Sequence, residues 1–112
     1  MMITRYALFE GEIHAGRETE FRQFVQERLV PLWVRFPGAL EVRVTFEVSR
    51  DDGAAGYPLV LAVSYPDIAA VETALQSMVR FESREVTKEL LQMFTGSVHH
   101  HVCDAQTFAA AL

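Results

Sequence analysis

Cysteine is almost missing from this chain: Cys103 stands alone among 112 residues. An intrachain disulfide is therefore excluded, and nothing calls for an oxidising compartment. Cys103 itself reads as a small residue in or beside a sheet, not as a nucleophile. Basic charge is scarce too, with ten Lys and Arg against fifteen Asp and Glu, a formal net charge of −5, and no basic run. That leaves no electrostatic footprint for a phosphate backbone, so nucleic acid is not an expected partner. Long apolar runs are also lacking. The opening "MMITRYALFEGEIH" breaks into alternation instead of forming a signal-peptide core, so a cytoplasmic protein with no membrane partner is expected. P-loop, G-x-G-x-x-G, G-x-S-x-G and C-x-x-C patterns are absent, which removes support for nucleotide, flavin, serine-hydrolase and dithiol chemistry. No cofactor is expected.

What the chain has is half apolar residues in a short length. This is the profile of one globular domain over 1–112, with a short C-terminal tail at 104–112 that is helical or loosely docked. A chain of this size buries only about two-thirds of the surface that its unfolded form exposes, which favours a homo-oligomer that covers a further face.

The apolar pattern then assigns the elements. In 2–14, Ile3, Ala7, Phe9 and Ile13 take odd positions and Thr4, Glu10, Glu12 and His14 even ones, a strand with a mixed outer face. After Gly16, the residues Phe21, Phe24, Val25, Leu29, Leu32, Trp33 and Phe36 recur at steps of three and four, an amphipathic helix. Pro31 lies within it, and a kink or a broken final turn is predicted between Val30 and Trp33. "ALEVRVTFEVS" alternates strictly and is the second strand. "RDDGAAG" is a connector, and "YPLVLAVSY", apolar on both faces, is a third and central strand paired with the second. "PDIAAVETALQSM" and "VRFESREVTKELLQMF" form a helical layer in two pieces, with Pro66 and Asp67 in the first turn and Ser83 as a cap between the pieces. "SVHHHVC" is the fourth strand.

This βαββαβ order predicts an α+β, ferredoxin-like domain: a four-stranded antiparallel sheet in order 4-1-3-2 with its helices on one face. The chain resembles the dimeric α/β-barrel superfamily, which includes antibiotic-biosynthesis monooxygenase, EthD-like and muconolactone-isomerase families. The resemblance is carried by the element order over almost the whole chain, by "GRETEFRQFVQERLVPLWVRFPGALEVRV" as first helix and second strand, and by "YPDIAAVETALQS" entering the second helical layer. It implies a homodimer whose sheets pack face to face through the open side. It also implies a cleft between sheet and helices that takes small, often cyclic, molecules. It implies no single reaction, because the superfamily spans cofactor-independent oxygenation, isomerisation, cyclisation and proteins without activity.

The histidine triplet is native rather than a tag, since eleven ordinary residues follow it. Strand alternation puts Ser97, His99, His101 and Cys103 on one face and Val98, His100 and Val102 on the other. His99 and His101 have an H-x-H spacing, but a zinc or iron site needs at least a third protein ligand, from Glu10, Glu12, His14 or a dimer mate. The plainer alternative is polar residues on an outer face. His100, between valines, is expected on the buried side beneath the helices, where a neutral imidazole could accept a proton near neutral pH. The competing reading is a core histidine satisfied by a backbone partner. Tyr6 and Tyr65 are candidates to orient a substrate oxygen, against a plain packing role. Trp33 and Phe36 are expected at the lip of an apolar pocket, with Met78, Phe81, Met93 and Phe94 on its other wall, against a core role for most of them. "RETEFRQFVQER" and "ESREVTKE" read as solvated faces with weak ion pairs.

Three functions are compatible with this pattern. The first is a cofactor-independent enzyme acting on a small apolar or aromatic compound, with His100 moving a proton. The second is a non-enzymatic dimeric ligand-binding or assembly module, and the third a metal-binding protein through His99 and His101.

Overall fold

The structure, a computed structural model, describes residues 2–112. Four strands, β1 (Met2–Ile13), β2 (Glu41–Phe46), β3 (Leu59–Tyr65) and β4 (Phe94–Ala105), form one antiparallel sheet in the order β2-β3-β1-β4. This is the expected 4-1-3-2 order read from the other edge. Helices α1 (Glu18–Phe24), α2 (Val30–Trp33), α3 (Ile68–Leu75) and α4 (Met78–Leu90) pack on one face of it. The ferredoxin-like plan and the second helical layer in two pieces are as the alternation and helical spacing predict.

Strand pairing writes the sheet as rows. On the helix side the rows are Phe46–Leu59–Phe9–Val98, Val44–Leu61–Ala7–His100 and Val42–Val63–Arg5–Val102. Leu59, Phe9, Leu61, Ala7 and Val63 are buried there beneath Phe21, Val25, Leu29 and Trp33. Each large apolar side chain so buried contributes about 1.5–3 kcal/mol. On the opposite face the rows are Thr45–Val60–Leu8–His99, Arg43–Ala62–Tyr6–His101 and Glu41–Ser64–Thr4–Cys103. Thr4 and Ser64 bond through their hydroxyls at 2.8 Å and are buried.

Three local expectations are corrected. The irregularity caused by Pro31 lies one turn earlier than predicted: Val30–Trp33 is α-helical, and the residues before it, Val25–Leu29, form a π turn. Proline offers no N–H to the Glu27 carbonyl and its ring presses on that carbonyl, so the ladder opens upstream. There the Val30 N–H donates to the Val25 carbonyl, five residues back. The wider turn keeps Phe21, Val25 and Leu29, four residues apart, on the buried face. Between α3 and α4 the cap is Ser77, not Ser83. The Ser77 hydroxyl oxygen accepts from the Arg80 N–H at 3.3 Å, as Asp67 accepts from the Ala70 N–H at 2.8 Å to start α3. Ser83 is buried inside α4 and donates to the Arg80 carbonyl at 2.8 Å. The tail begins later than expected, because Asp104 and Ala105 still pair with β1, and residues 106–112 carry no helix.

β1 and β4 pair over their full length from Met2–Ala105 to Ile13–Phe94. Near one end Gly11 faces Gly96, with φ of +149° and +155°. A Cβ on Gly11 would strike the Thr95 carbonyl, and one on Gly96 the Glu10 carbonyl, with the Phe94 ring also close to both. Only glycine accepts both the conformation and the approach. Gly96→Ala should therefore lower stability by about 1–3 kcal/mol, read as a reduced midpoint in urea unfolding; an unchanged midpoint would show that this crossing does not pin the pairing.

Candidate functional site

A half-open cavity of about 340 Å³ lies between the helix-facing side of the sheet and the helices α2 and α4. Its apolar surface comes from Ala7, Phe9, Leu61 and Val98 of the sheet, Trp33 and Phe36 at the end of α2, and Leu91 after α4. Helical spacing aims Arg80, Arg84, Thr87 and Leu91 into it from α4, together with Ser83 and Lys88. Arg5 and His100 complete the lining from β1 and β4.

His100 reaches the cavity for a simple reason. It lies opposite Ala7 in the β1–β4 register, and Ala7 faces the helices. It is not enclosed as expected. β4 is an edge strand, so the imidazole stands at the cavity mouth and remains exposed by surface area. Even there, loss of water lowers its pKa from 6.5 to about 4, with Arg5, Arg80, His99 and Arg84 adding electrostatic pressure in the same direction. The ring is thus neutral at pH 7.

The other expected site residues divide. Trp33 and Phe36 line the cavity, though both are buried and form its floor instead of a lip. Tyr65 is on the helix-facing side but fully buried in the core, outside the lining, and burial raises its pKa while the Arg5 charge opposes that shift. Tyr6 pairs with His101 on the opposite face, because an even position in β1 points away from the helices. Met78 and Phe81 are exposed at the start of α4 and do not line the cavity, since the helix turns positions 80, 83, 84 and 87 inward instead. Met93 and Phe94 are core residues. The Phe94 ring packs at 6.0 Å on Phe9 and 6.4 Å on Phe21, centroid to centroid.

His99 and His101 share the open face, their rings 5.5 Å apart, but no third metal ligand joins them among the described residues. His14 lies past the far end of β1, where its ring Nε2 and the Thr95 hydroxyl are 2.8 Å apart. Glu10 accepts a hydrogen bond from the Tyr57 hydroxyl at 2.7 Å, and Glu12 is held by Arg50 at 2.9 Å. The proposed trio of His99, His101 and His14 is not assembled within the chain.

The sequence reading missed the cations. Arg5 occupies an odd position between Ile3 and Ala7, on the inward row, and this was legible. Arg84, within "ESREVTKE", belongs to the helix face read above as solvated, and that reading is corrected by its place in the cavity wall; Arg80, four residues earlier and given no role there, lines the same wall.

At the level of sequence, no family model and no curated protein matches the chain. Solved structures do match it in fold. An ethyl tert-butyl ether D (EthD) family protein of Bacillus halodurans superposes with a TM-score of 0.73 at 18% identity, over 95% of this chain and 100% of that one. SnoaB of Streptomyces nogalater, a cofactor-independent oxygenase, gives 0.62 at 18%, over 96% and 95%. A dimeric protein of unknown function and ferredoxin-like fold from Bacteroides fragilis gives 0.67 at 11%, over 93% and 96%. The chain has the ferredoxin-like fold of these proteins. At such identities the likeness carries the fold alone.

The lowered pKa of His100 has a sign that can be measured. The unfolded chain takes up the proton near 6.5 and the folded chain only near 4, so folding stability present above pH 6.5 is lost as pH falls through about 4. In His100→Asn this part of the decline should disappear from thermal melts collected across pH 4–7. A parallel decline in both proteins would contradict the shift.

Proposed function

We propose that the protein is a homodimer that binds a small, flat, mainly apolar molecule in the cleft between sheet and helices and acts on it as a cofactor-independent enzyme. The observation that carries this reading is the cavity itself: about 340 Å³, apolar on most of its surface, with the neutral imidazole of His100 and the guanidinium of Arg5 at its wall. That volume lies at the lower end of the range of about 300–1,000 Å³ for small-molecule sites, which suits a body of one or two fused rings. The described face opposite the helices carries Tyr6, Leu8, Val60 and Ala62 among polar residues, and a second copy of the chain is its natural cover. The dimeric neighbour of like fold supports the same arrangement. A cytoplasmic setting belongs to this reading.

The chemistry assigned to the site is proton abstraction from a carbon acid beside a carbonyl. The unprotonated ring nitrogen of His100 takes the proton, and the C–H electron pair moves through carbon to leave an enolate oxygen. An imidazole whose conjugate acid has a pKa near 4 is a weak base. The step therefore relies on Arg5 and Arg80, whose charge favours the developing oxyanion and makes the carbon acid stronger. Reprotonation at another carbon, ring closure or reaction with oxygen could follow from that enolate. Tyr65, although near Arg5, has no contact with the cavity and is given no part in the step.

The test uses 2-tetralone, a bicyclic ketone with acidic C–H groups, in deuterated buffer. The protein should accelerate α-hydrogen exchange, read by proton NMR, and His100→Ala should lose that acceleration by about 10²-fold or more. Exchange that the protein does not accelerate, or that the variant retains, would leave a ligand-binding module in place of an enzyme. Light scattering on the same sample should return twice the chain mass of 12.7 kDa.

A further inference from the structure

The cavity wall carries more positive charge than the fold or one developing oxyanion requires. The chain as a whole is acidic, with fifteen carboxylates against ten Lys and Arg. Yet four of those ten cations, Arg5, Arg80, Arg84 and Lys88, line this one cavity, and no Asp or Glu does. Lys88 is neutralised by Glu85 at 2.9 Å on the outside of α4. Among the described residues, no carboxylate lies within ion-pair distance of Arg5, Arg80 or Arg84, and Arg80 spends one N–H on the Leu75 carbonyl at 3.2 Å. Arg5 is the one charged residue in its inward row, flanked by Val63 and Val102 and diagonal to His100.

Partly desolvated guanidinium groups facing one another repel, and water solvates them poorly at an apolar wall. Arg5 shows the effect, its pKa lowered by burial and by Arg80. A planar fork of N–H donors finds its best partner in a carboxylate, which accepts two of them side by side.

We infer that the cleft takes an organic anion: a flat apolar body against Trp33 and Phe36, carrying a carboxylate held by Arg5 and Arg80, with Arg84 adding charge at the mouth. This inference rests on the cleft reading above and narrows it to acidic substrates. Neutral compounds of the same shape fill the apolar floor and offer at most one carbonyl acceptor, but leave the guanidinium charge without a counter-ion.

The test is calorimetric titration with 2-naphthoate and with its neutral counterpart 2-naphthamide. Wild-type protein should bind the naphthoate at least about tenfold more tightly. Arg5→Gln and Arg80→Gln should each weaken naphthoate by about tenfold, leave naphthamide within about twofold, and reduce the loss of affinity on adding salt. Arg5→Lys should recover part of the affinity, since it restores charge without the fork. Arg80 stands on a helix surface, so Arg80→Gln alone decides the matter if Arg5→Gln does not fold. Equal affinity for the two probes would overturn the anion inference while leaving the cleft reading intact. Naphthoate binding unaffected by Arg80→Gln would overturn it as well, and binding of neither probe would overturn both readings.

Discussion

The pairing of β1 with β4 is the constraint on which the site depends. A strand alternates its side chains, so a slip of one residue between these two strands would carry His100 to the open face and replace it in the cavity by His99 or His101. The register that prevents this is long, and it is marked at one end by the Gly11–Gly96 crossing beneath the Phe94 ring. Phe94 in turn packs on Phe9 and Phe21, which tie the end of β4 to the sheet centre and to α1. Core packing and site geometry are thus one arrangement: the aromatic contact that stabilises the fold also sets which histidine faces the cleft.

The π turn before Pro31 does comparable work on the other wall. It keeps Phe21, Val25 and Leu29 in the core and delivers Trp33 and Phe36 to the cavity floor. Across from them, α4 starts at the Ser77 cap, ahead of Arg80, so that Arg80, Ser83, Arg84 and Thr87 all belong to the helix that walls the cavity.

Much of this was legible from residue pattern alone. The alternation in 2–14, 39–49 and 57–65 and the helical spacing between them determined the sheet order, and the triplet's alternation separated His100 from its neighbours. What pattern could not supply was depth. Trp33 and Phe36 read as cavity residues, but whether they form rim or floor depends on the π turn. Phe94, Met78 and Phe81 look alike as apolar residues, yet one is core and two are exposed. Tyr6 and Tyr65 both sit on strands, and only register shows that one faces away from the helices and the other is sealed beneath them. Arginines within an amphipathic helix look like solvent-facing charge until a neighbouring strand edge turns their face into a wall.

In the function proposed above, the β1–β4 register presents His100 to an apolar cleft that receives a small molecule. A crystal structure with bound 2-naphthamide, a neutral probe independent of the charge argument, tests it most directly. The naphthalene rings should lie against Trp33 and Phe36, with a ring nitrogen of His100 within hydrogen-bond reach of the amide. A probe seated on the open sheet face, or a His100 ring turned away from a cleft filled by its own side chains, would contradict it.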